Sequence, residues 1–253
     1  MYRPFMSTQG ESYMLITFKR FHGHNALMKL FLVSLLLVAG GCASADKTYD
    51  PLEPVNRQVQ KFNDTVDTYA LKPVARGYGY VFPEFFRVAL RNAFDNISYP
   101  TVFINQFLQG KWETGFADMT RFVCNSTVGI AGLIDVATEM GLPAHDEDFG
   151  QTFAVWGMSG GPYLVLPIMG PLTLRDGIGL GAGWFTYLPN YIDDDDVYWS
   201  IVAARTVVAR ERLLQKEKMI TGDRYLFIRD AYLQRRNHLI EDGRDTADPF
   251  LND

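Results

Sequence analysis

Asp50-Pro51-Leu52-Glu53 opens the stretch on which the fold turns, and Val55, Val59, Phe62, Val66 and Tyr69 follow it at alternating spacings of four and three. That spacing is the stripe of an amphipathic helix. Asp50 reads as its N-cap, Pro51 as the first helical position, and Glu53 as the partner that completes a capping box. Lys72-Pro73 reads as its end, because the residue before a proline is driven out of the helical region. Helical spacing recurs downstream. After Gly77-Tyr78-Gly79-Tyr80 and Pro83, a second helix carries Phe86, Leu90, Ala93 and Ile97 on one face. Pro100 reads as the start of a third, stopping at Gly110, and Glu113 to about Thr127 as a fourth. Val128–Thr138 is apolar and glycine-bearing, and reads as a short, closely packed helix.

The centre of the chain has a different pattern. Phe149–Met169 is rich in aromatics and glycine, and Thr152–Trp156 and Tyr163–Leu166 read as the strands of a β-hairpin joined by a Gly157–Pro162 loop. In Leu172–Leu188, the pairs Gly177/Gly181 and Gly179/Gly183 would let a helix approach another backbone closely, although glycine's weak helix propensity opposes a helix there. Val197, Ile201, Ala204 and Val208 restore a helical stripe that runs to about Met219. The acidic run Asp193–Asp196 reads as its N-terminal cap. Asp223 to Asp242 reads as a final helix with Tyr225, Ile228, Tyr232 and Leu239 inside, and Gly243 as its stop.

Toward the N-terminus, Lys29 precedes the apolar run Leu30–Val38, then Ala39-Gly40-Gly41 and Cys42. The run is too short to span a bilayer and suits a secretory signal. The small residues admit a peptidase, and the Cys42 thiol would take the lipid. Three acyl chains exceed what stable anchoring requires. Residues 1–41 are thus read as a cleaved signal region with its true start at Met28 (Met14 is a second candidate), 42–49 as the lipidated N-terminus and linker, 50–243 as the helical body, and 244–253 as a polar tail. Cys124, the only other cysteine, reads as a small apolar residue.

Composition bounds the function. An apolar content of 47% against 21% charged residues describes a globular body, and a formal net charge of −5 argues against nucleic-acid binding. No run beyond Cys42 is long enough to span a membrane, and the many alternating segments of an outer-membrane barrel are missing. Gly157-Met158-Ser159-Gly160-Gly161 matches the pattern of a nucleophile elbow, with Asp176 and His238 downstream in triad order. That elbow needs a strand before the serine and a helix after it, whereas a strand-like run follows here. The sequence around Ser159 therefore reads first as a hairpin turn. His145-Asp146-Glu147-Asp148 lacks the partners of a zinc site and reads as a solvated loop. No metal or cofactor is expected.

The motifs in order resemble the VacJ/MlaA family of outer-membrane lipoproteins. The resemblance runs through Asp50-Pro51-Leu52-Glu53, Asn56-Arg57, Phe62-Asn63, Pro73-Val74-Ala75 and Asn105–Gly110. It continues through Arg121-Phe122 with Asn125 and Gly129, Ile134–Ala137, Phe149–Thr152 and Gly161-Pro162-Tyr163. Leu166-Pro167, Thr173–Asp176 and Ala231–Arg235 complete it. Lys61 and Asp64 depart from it. The resemblance implies a mainly α, ring-like bundle of amphipathic helices with a small β-hairpin, anchored in the periplasmic leaflet of the outer membrane beside a porin trimer. It implies removal of misplaced phospholipids from the outer leaflet, passed to a periplasmic lipid-carrier protein and on to an inner-membrane ATP-driven complex, with no covalent chemistry. On that expectation Asn56, Arg57, Asn63, Arg121, Asn125, Arg175 and Asp176 are candidates to line or brace a polar head-group channel, and Gly157, Gly160 and Gly161 are candidate hinges. Two other classes stay open: an envelope serine hydrolase or lipase using Ser159, and a structural, porin-associated lipoprotein.

Overall fold

A computed structural model describes residues 50–242 of the chain. The signal region, Cys42, Gly243 and the polar tail lie outside the described residues. The first helix, α1 (Glu53–Val66), passes through a π-helical turn at Asp67–Leu71 directly into α2 (Lys72–Val81). The helix therefore does not end at Lys72-Pro73. Pro73 falls just after the π winding, and the helix continues across it. Nor does Glu53 complete a capping box. Asp50 Oδ1 accepts from Leu52 N at 3.1 Å, and the Glu53 carboxylate turns forward to Arg57.

The second and third expected helices are one, α3 (Glu84–Leu108), with Pro100 inside it. A proline there removes one ladder bond, and the helix continues across it. Gly110 (φ +77°) does stop it, and α4 (Trp112–Thr127) follows with Cys124 half-buried. Val128–Ile134 is a turn with Ile130 and Ala131 in left-handed conformation, and only α5 (Val136–Glu139) is helical. The turn is tight: a Cβ on Gly129 would sit 2.2 Å from the Ile134 carbonyl.

The segment expected as the first strand is a helix, α6 (Phe149–Val155). Asp148 caps it by accepting from Gln151 N at 2.9 Å, which outweighs the strand propensity of its aromatic and β-branched residues. Tyr163–Leu166 is indeed a strand (β1), but its antiparallel partner is β2 (Gly170–Thr173), in the register Tyr163↔Thr173 to Leu166↔Gly170. The glycine-rich stretch forms α7 (Leu174–Gly183), capped by Thr173. There α7 lies against α6, and a Cβ on Gly179 would come within 2.4 Å of Gly150 N. Asp194 caps α8 (Asp195–Lys216), as the acidic run predicts, and Asp223 caps α9 (Arg224–Ile240).

The packing order closes on itself. Helix α2 lies on α8, α8 on α3, α3 on α6, α6 on α9 and α9 on β2, while β1 returns to α1. This circuit is the mainly α arrangement with one small hairpin, in keeping with the ring-like bundle. No described helix is long and apolar enough to cross a membrane. The apolar core is small. Tyr163, Val165 and Tyr225 form its centre, with Val59, Leu226, Tyr232 and Leu233 around them.

Candidate functional site

Burial in this protein runs against the usual rule. The largest fully buried side chains are Arg121, Gln106, Gln151, Asn56, Asn105, Thr152 and Asp118, every one polar. Large apolar side chains stand outside: Tyr80 is 92% exposed, Tyr69 82% and Phe85 76%. The expected stripe faces out at Val55 and Phe62 on α1 and at Tyr69 in the π-helical turn, while Val59 and Val66 are half-buried and Asn56 and Gln60 are buried. A protein surrounded by water puts its apolar atoms in and its charges out. Buried polar groups persist only when hydrogen-bonded, and most of these are.

The predicted residues fall into three bonded groups. In the first, α1 clips the hairpin. Asn56 Nδ2 donates to Tyr163 O and Asn56 Oδ1 accepts from Val165 N, both at 3.0 Å. Asn63 repeats the pattern about two helical turns on, donating to Leu166 O at 2.9 Å and accepting from Ile168 N at 2.7 Å. The two amides thus take up edge groups of β1 and its turn that an extra strand would otherwise satisfy. Arg57 pairs with Glu53 (2.8 Å) and Asp223 (2.9 Å) and stacks 4.6 Å above the Tyr225 ring, fastening α1 to the start of α9.

The second group is centred on Arg121 in α4. Its guanidinium donates to Tyr99 OH at 2.8 Å, Thr138 Oγ1 at 3.1 Å, the Leu142 carbonyl, and both oxygens of Asp135 at 3.0 and 2.9 Å. Asn125 also donates to Asp135 (3.0 Å) and accepts from Ala137 N (2.9 Å). Burial opposes ionisation of Asp135, but bonds from Thr138 and Asn125 and the Arg121 charge outweigh it, holding its carboxyl below the usual range. Nearby, the buried Asp118 faces His145 Nδ1 at 3.0 Å and Gln106, and burial raises its pKa.

The third group joins α7 to α9. Arg175 and Asp176 are brought together, and Asp176 also accepts from Tyr232 OH at 2.5 Å and Arg236 Nη2 at 2.8 Å. Arg236 reaches on to Asp148 at 2.6 and 3.0 Å. Burial opposes the Asp176 charge, yet Tyr232 and Arg236 keep its pKa below the usual carboxylate range. Burial, together with the bond to Asp176, raises that of Tyr232.

His145–Asp148 is not simply a solvated loop. Its four side chains diverge, His145 to Asp118, Asp146 to Arg235, Glu147 to Lys111 and Gln109, and Asp148 to Arg236. Glu147 is buried, which raises its pKa. Ser159 follows helix α6 and precedes strand β1, the reverse of an elbow's order, and the Asp176 carboxylate is engaged by Tyr232 and Arg236. Gly157 (φ +93°) and Gly161 (φ +67°) bracket that loop in a conformation L residues rarely adopt, and Gly160 O accepts from Arg175 N at 3.1 Å.

Gln106, Asp118, Asp135, Glu147, Tyr232 and Arg236 were not among the sequence candidates. A signal for some of them exists: on α3 the buried face alternates Asn96, Tyr99, Val102, Asn105 and Gln106, so amides interrupt an otherwise apolar stripe. Chemically, the arrangement holds polar groups in fixed positions, and its ion pairs tie elements together.

Comparisons with known proteins agree with this architecture. The chain is 34% identical over 230 residues to the protein of Escherichia coli (strain K12) named intermembrane phospholipid transport system lipoprotein MlaA, covering 86% of this chain and 89% of that protein. It is 39% identical over 136 residues to an uncharacterized protein of Rickettsia conorii, and that match spans about half of each, 54% of this chain and 53% of the relative. A solved structure described by the words "Structural basis for maintenance of bacterial outer membrane lipid asymmetry" superimposes with a TM-score of 0.67 at 31% identity, over 76% of this chain and 99% of that one. The family model for the MlaA lipoprotein matches residues 48–239, which take in both strands and nearly all of the final helix; the chain belongs to the MlaA lipoprotein family.

Proposed function

We propose that this chain is an outer-membrane lipoprotein that removes phospholipids misplaced in the outer leaflet and hands them to a soluble periplasmic carrier, so maintaining the lipid asymmetry of that membrane. Acylated Cys42 holds it in the periplasmic leaflet, beside a porin trimer, and no bond in the lipid is made or broken. One observation carries the reading: the polar interior and apolar exterior of the body. A phosphate head group is costly to move through hydrocarbon. A body whose interior is amide, guanidinium and carboxylate lowers that cost, while its outer aromatic surface rests among acyl chains without a spanning helix.

Within this reading Asn56, Arg57, Asn63, Arg121, Asn125, Arg175 and Asp176 brace the polar passage, because their polar groups are bonded to the walls. Arg121 fixes α4, Asn56 and Asn63 fix the hairpin, and Arg175 with Asp176 fixes α7 to α9. Gly157, Gly160 and Gly161 give the loop ahead of the hairpin the freedom to move. The test is reconstitution of the full lipidated chain in vesicles of labelled phospholipid with the purified carrier added. Protein-dependent transfer of label to the carrier is expected. Transfer at the rate of protein-free vesicles overturns the reading.

A further inference from the structure

Helix α8 meets α3 through arginine. Arg205 and Arg212 lie about two turns apart on one side of α8. Each reaches α3: Arg205 Nη2 donates to Ser98 Oγ at 3.1 Å, and Arg212 Nη1 stands 3.6 Å from Asp95 Oδ2. The Arg205 guanidinium also lies over the Tyr187 ring, 5.1 Å from its centre. Stacking on a ring face holds the guanidinium plane and leaves its in-plane N–H groups for an anion. Among the described residues every arginine but two lies within ion-pair distance of a carboxylate. The two are Arg76, which is exposed, and Arg205, which is half-buried. The charges along this seam do not cancel. Arg87 and Arg91 are bound to Glu84 and Glu211, which leaves Asp95 alone to face two guanidinium groups, and Arg212 is the nearer. The seam is also recessed. The Asp95 side chain is 62% exposed, yet burial raises its carboxyl above the usual range against the pull of Arg212 and Arg205, and Asp146 from the loop before α6 raises it further. A carboxylate that water reaches and protein still crowds stands in a recess. Asp146 is itself held by Arg235 of α9 at 2.7 Å.

From this arrangement we infer that Arg205 is the contact for the phosphate of a phospholipid head group, held ready by Ser98 and Tyr187 on the seam between α3 and α8. The inference rests on the transport reading, which supplies a phosphate in every lipid moved. A half-buried guanidinium without a carboxylate attracts an anion, and its fork of donors matches two phosphate oxygens at once. Arg121 and Arg175 differ in kind: their charges are met by Asp135 and Asp176, so they hold the protein to itself. Asp95 competes with the ligand. It draws on both Arg205 and Arg212, and its removal leaves two cations for the phosphate.

The test uses the full lipidated chain in maltoside micelles and phosphate-free buffer. Phenylglyoxal modifies accessible arginines, and mass spectrometry follows each one, with Arg76 as the internal reference. Adding phosphatidylethanolamine to the micelles should slow modification of Arg205 at least fivefold relative to Arg76. Diacylglycerol, oleate and inorganic phosphate at the same concentration should each leave the ratio unchanged. An unchanged ratio with phosphatidylethanolamine overturns the inference. So does equal protection by diacylglycerol, which lacks the phosphate, or by oleate, which offers a carboxylate. Equal protection by inorganic phosphate overturns the assignment to lipid. Asp95→Asn should strengthen protection at least twofold, a gain that a purely structural Arg205 would not show; weaker protection in that variant counts against the site. Transfer of labelled lipid to the purified carrier is measured alongside. Arg205→Gln should slow it about tenfold, the scale of one charge-assisted hydrogen bond, with partial recovery in Arg205→Lys. The protection measurement needs no Arg205 variant and stays decisive if Arg205→Gln fails to fold. Transfer without protection of Arg205 refutes this site alone, and protection without transfer refutes the transport function alone.

Discussion

At the scale of single residues the weight of the structure falls on side chains with several bonds each. Arg121 is the strongest case. It is 2% exposed, and its fork of donors meets Tyr99 on α3 and Asp135, Thr138 and the Leu142 carbonyl in and around α5. A lysine has one point of charge and cannot span that set. Replacing Arg121 with leucine removes one member of a buried pair and leaves the others facing an apolar group. The cost of breaking a buried pair is typically 3–5 kcal/mol, and Arg121→Leu should fall near the lower end, about 3 kcal/mol. Asp135 is partly exposed and keeps its bonds from Asn125 and Thr138, which limits the loss. Thermal unfolding in detergent checks this. An unchanged midpoint for Arg121→Leu would show that the cluster does not hold α4 to the turn after it.

At the scale of elements, close packing of α6 on α7 depends on glycine. A Cβ on Gly179 would lie 2.4 Å from Gly150 N and 2.8 Å from its Cα, contacts with backbone that cannot rotate away. Gly181, two residues on and on the opposite face, has nothing within 4 Å. Gly179→Ala should therefore destabilise by about 1–3 kcal/mol through overpacking, whereas Gly181→Ala should be neutral or slightly stabilising, since alanine is the better helix former. Unfolding midpoints of the pair, measured side by side, decide it. These elements also mark what the sequence reveals. The helices α1, α4, α8 and α9 were legible because apolar spacing and acidic caps such as Asp194 and Asp223 are local signals. The segment Thr152–Trp156 was misread because aromatic and β-branched residues serve a short buried helix as readily as a strand, and the deciding bond comes from Asp148 outside the segment. The fusion of two helices across Pro100 was hidden for a related reason: a proline costs one ladder bond, and neighbours along twenty-five residues outweigh it. At the site, Asn56, Asn63, Arg121, Asn125, Arg175 and Asp176 stood out as residues, but not their partners. Asp135 and Arg236 are joined to them only by folding, over sequence gaps of 10 and 60 residues.

At the scale of the whole molecule, periodicity leaves one thing open: it shows that two faces of a helix differ, and not which solvent each one meets. On α1 and the π-helical turn after it, Val55, Phe62 and Tyr69 are exposed, Val59 lies against the apolar core, and Asn56 and Gln60 are buried. Scattered apolar residues on a surface need no explanation, but here they accompany an interior whose largest fully buried side chains are all polar. Both halves follow if the surroundings are acyl chains. Tryptophan offers a direct probe of those surroundings, since the chain has four and all are exposed: Trp112 at 62%, Trp156 at 59%, Trp184 at 47% and Trp199 at 59%. Tryptophan favours the boundary between hydrocarbon and water, where its ring and its N–H are both accommodated. Trp156 already places its N–H on Leu108 O at 3.1 Å, which leaves its ring free to face lipid. Once the protein is reconstituted, phospholipids brominated on their chains should quench most of the tryptophan emission, and iodide added in the aqueous phase should quench little. The reverse result, iodide reaching all four and bromine none, would mean that the aromatic surface faces water, and the membrane could no longer account for a protein whose largest fully buried side chains are polar.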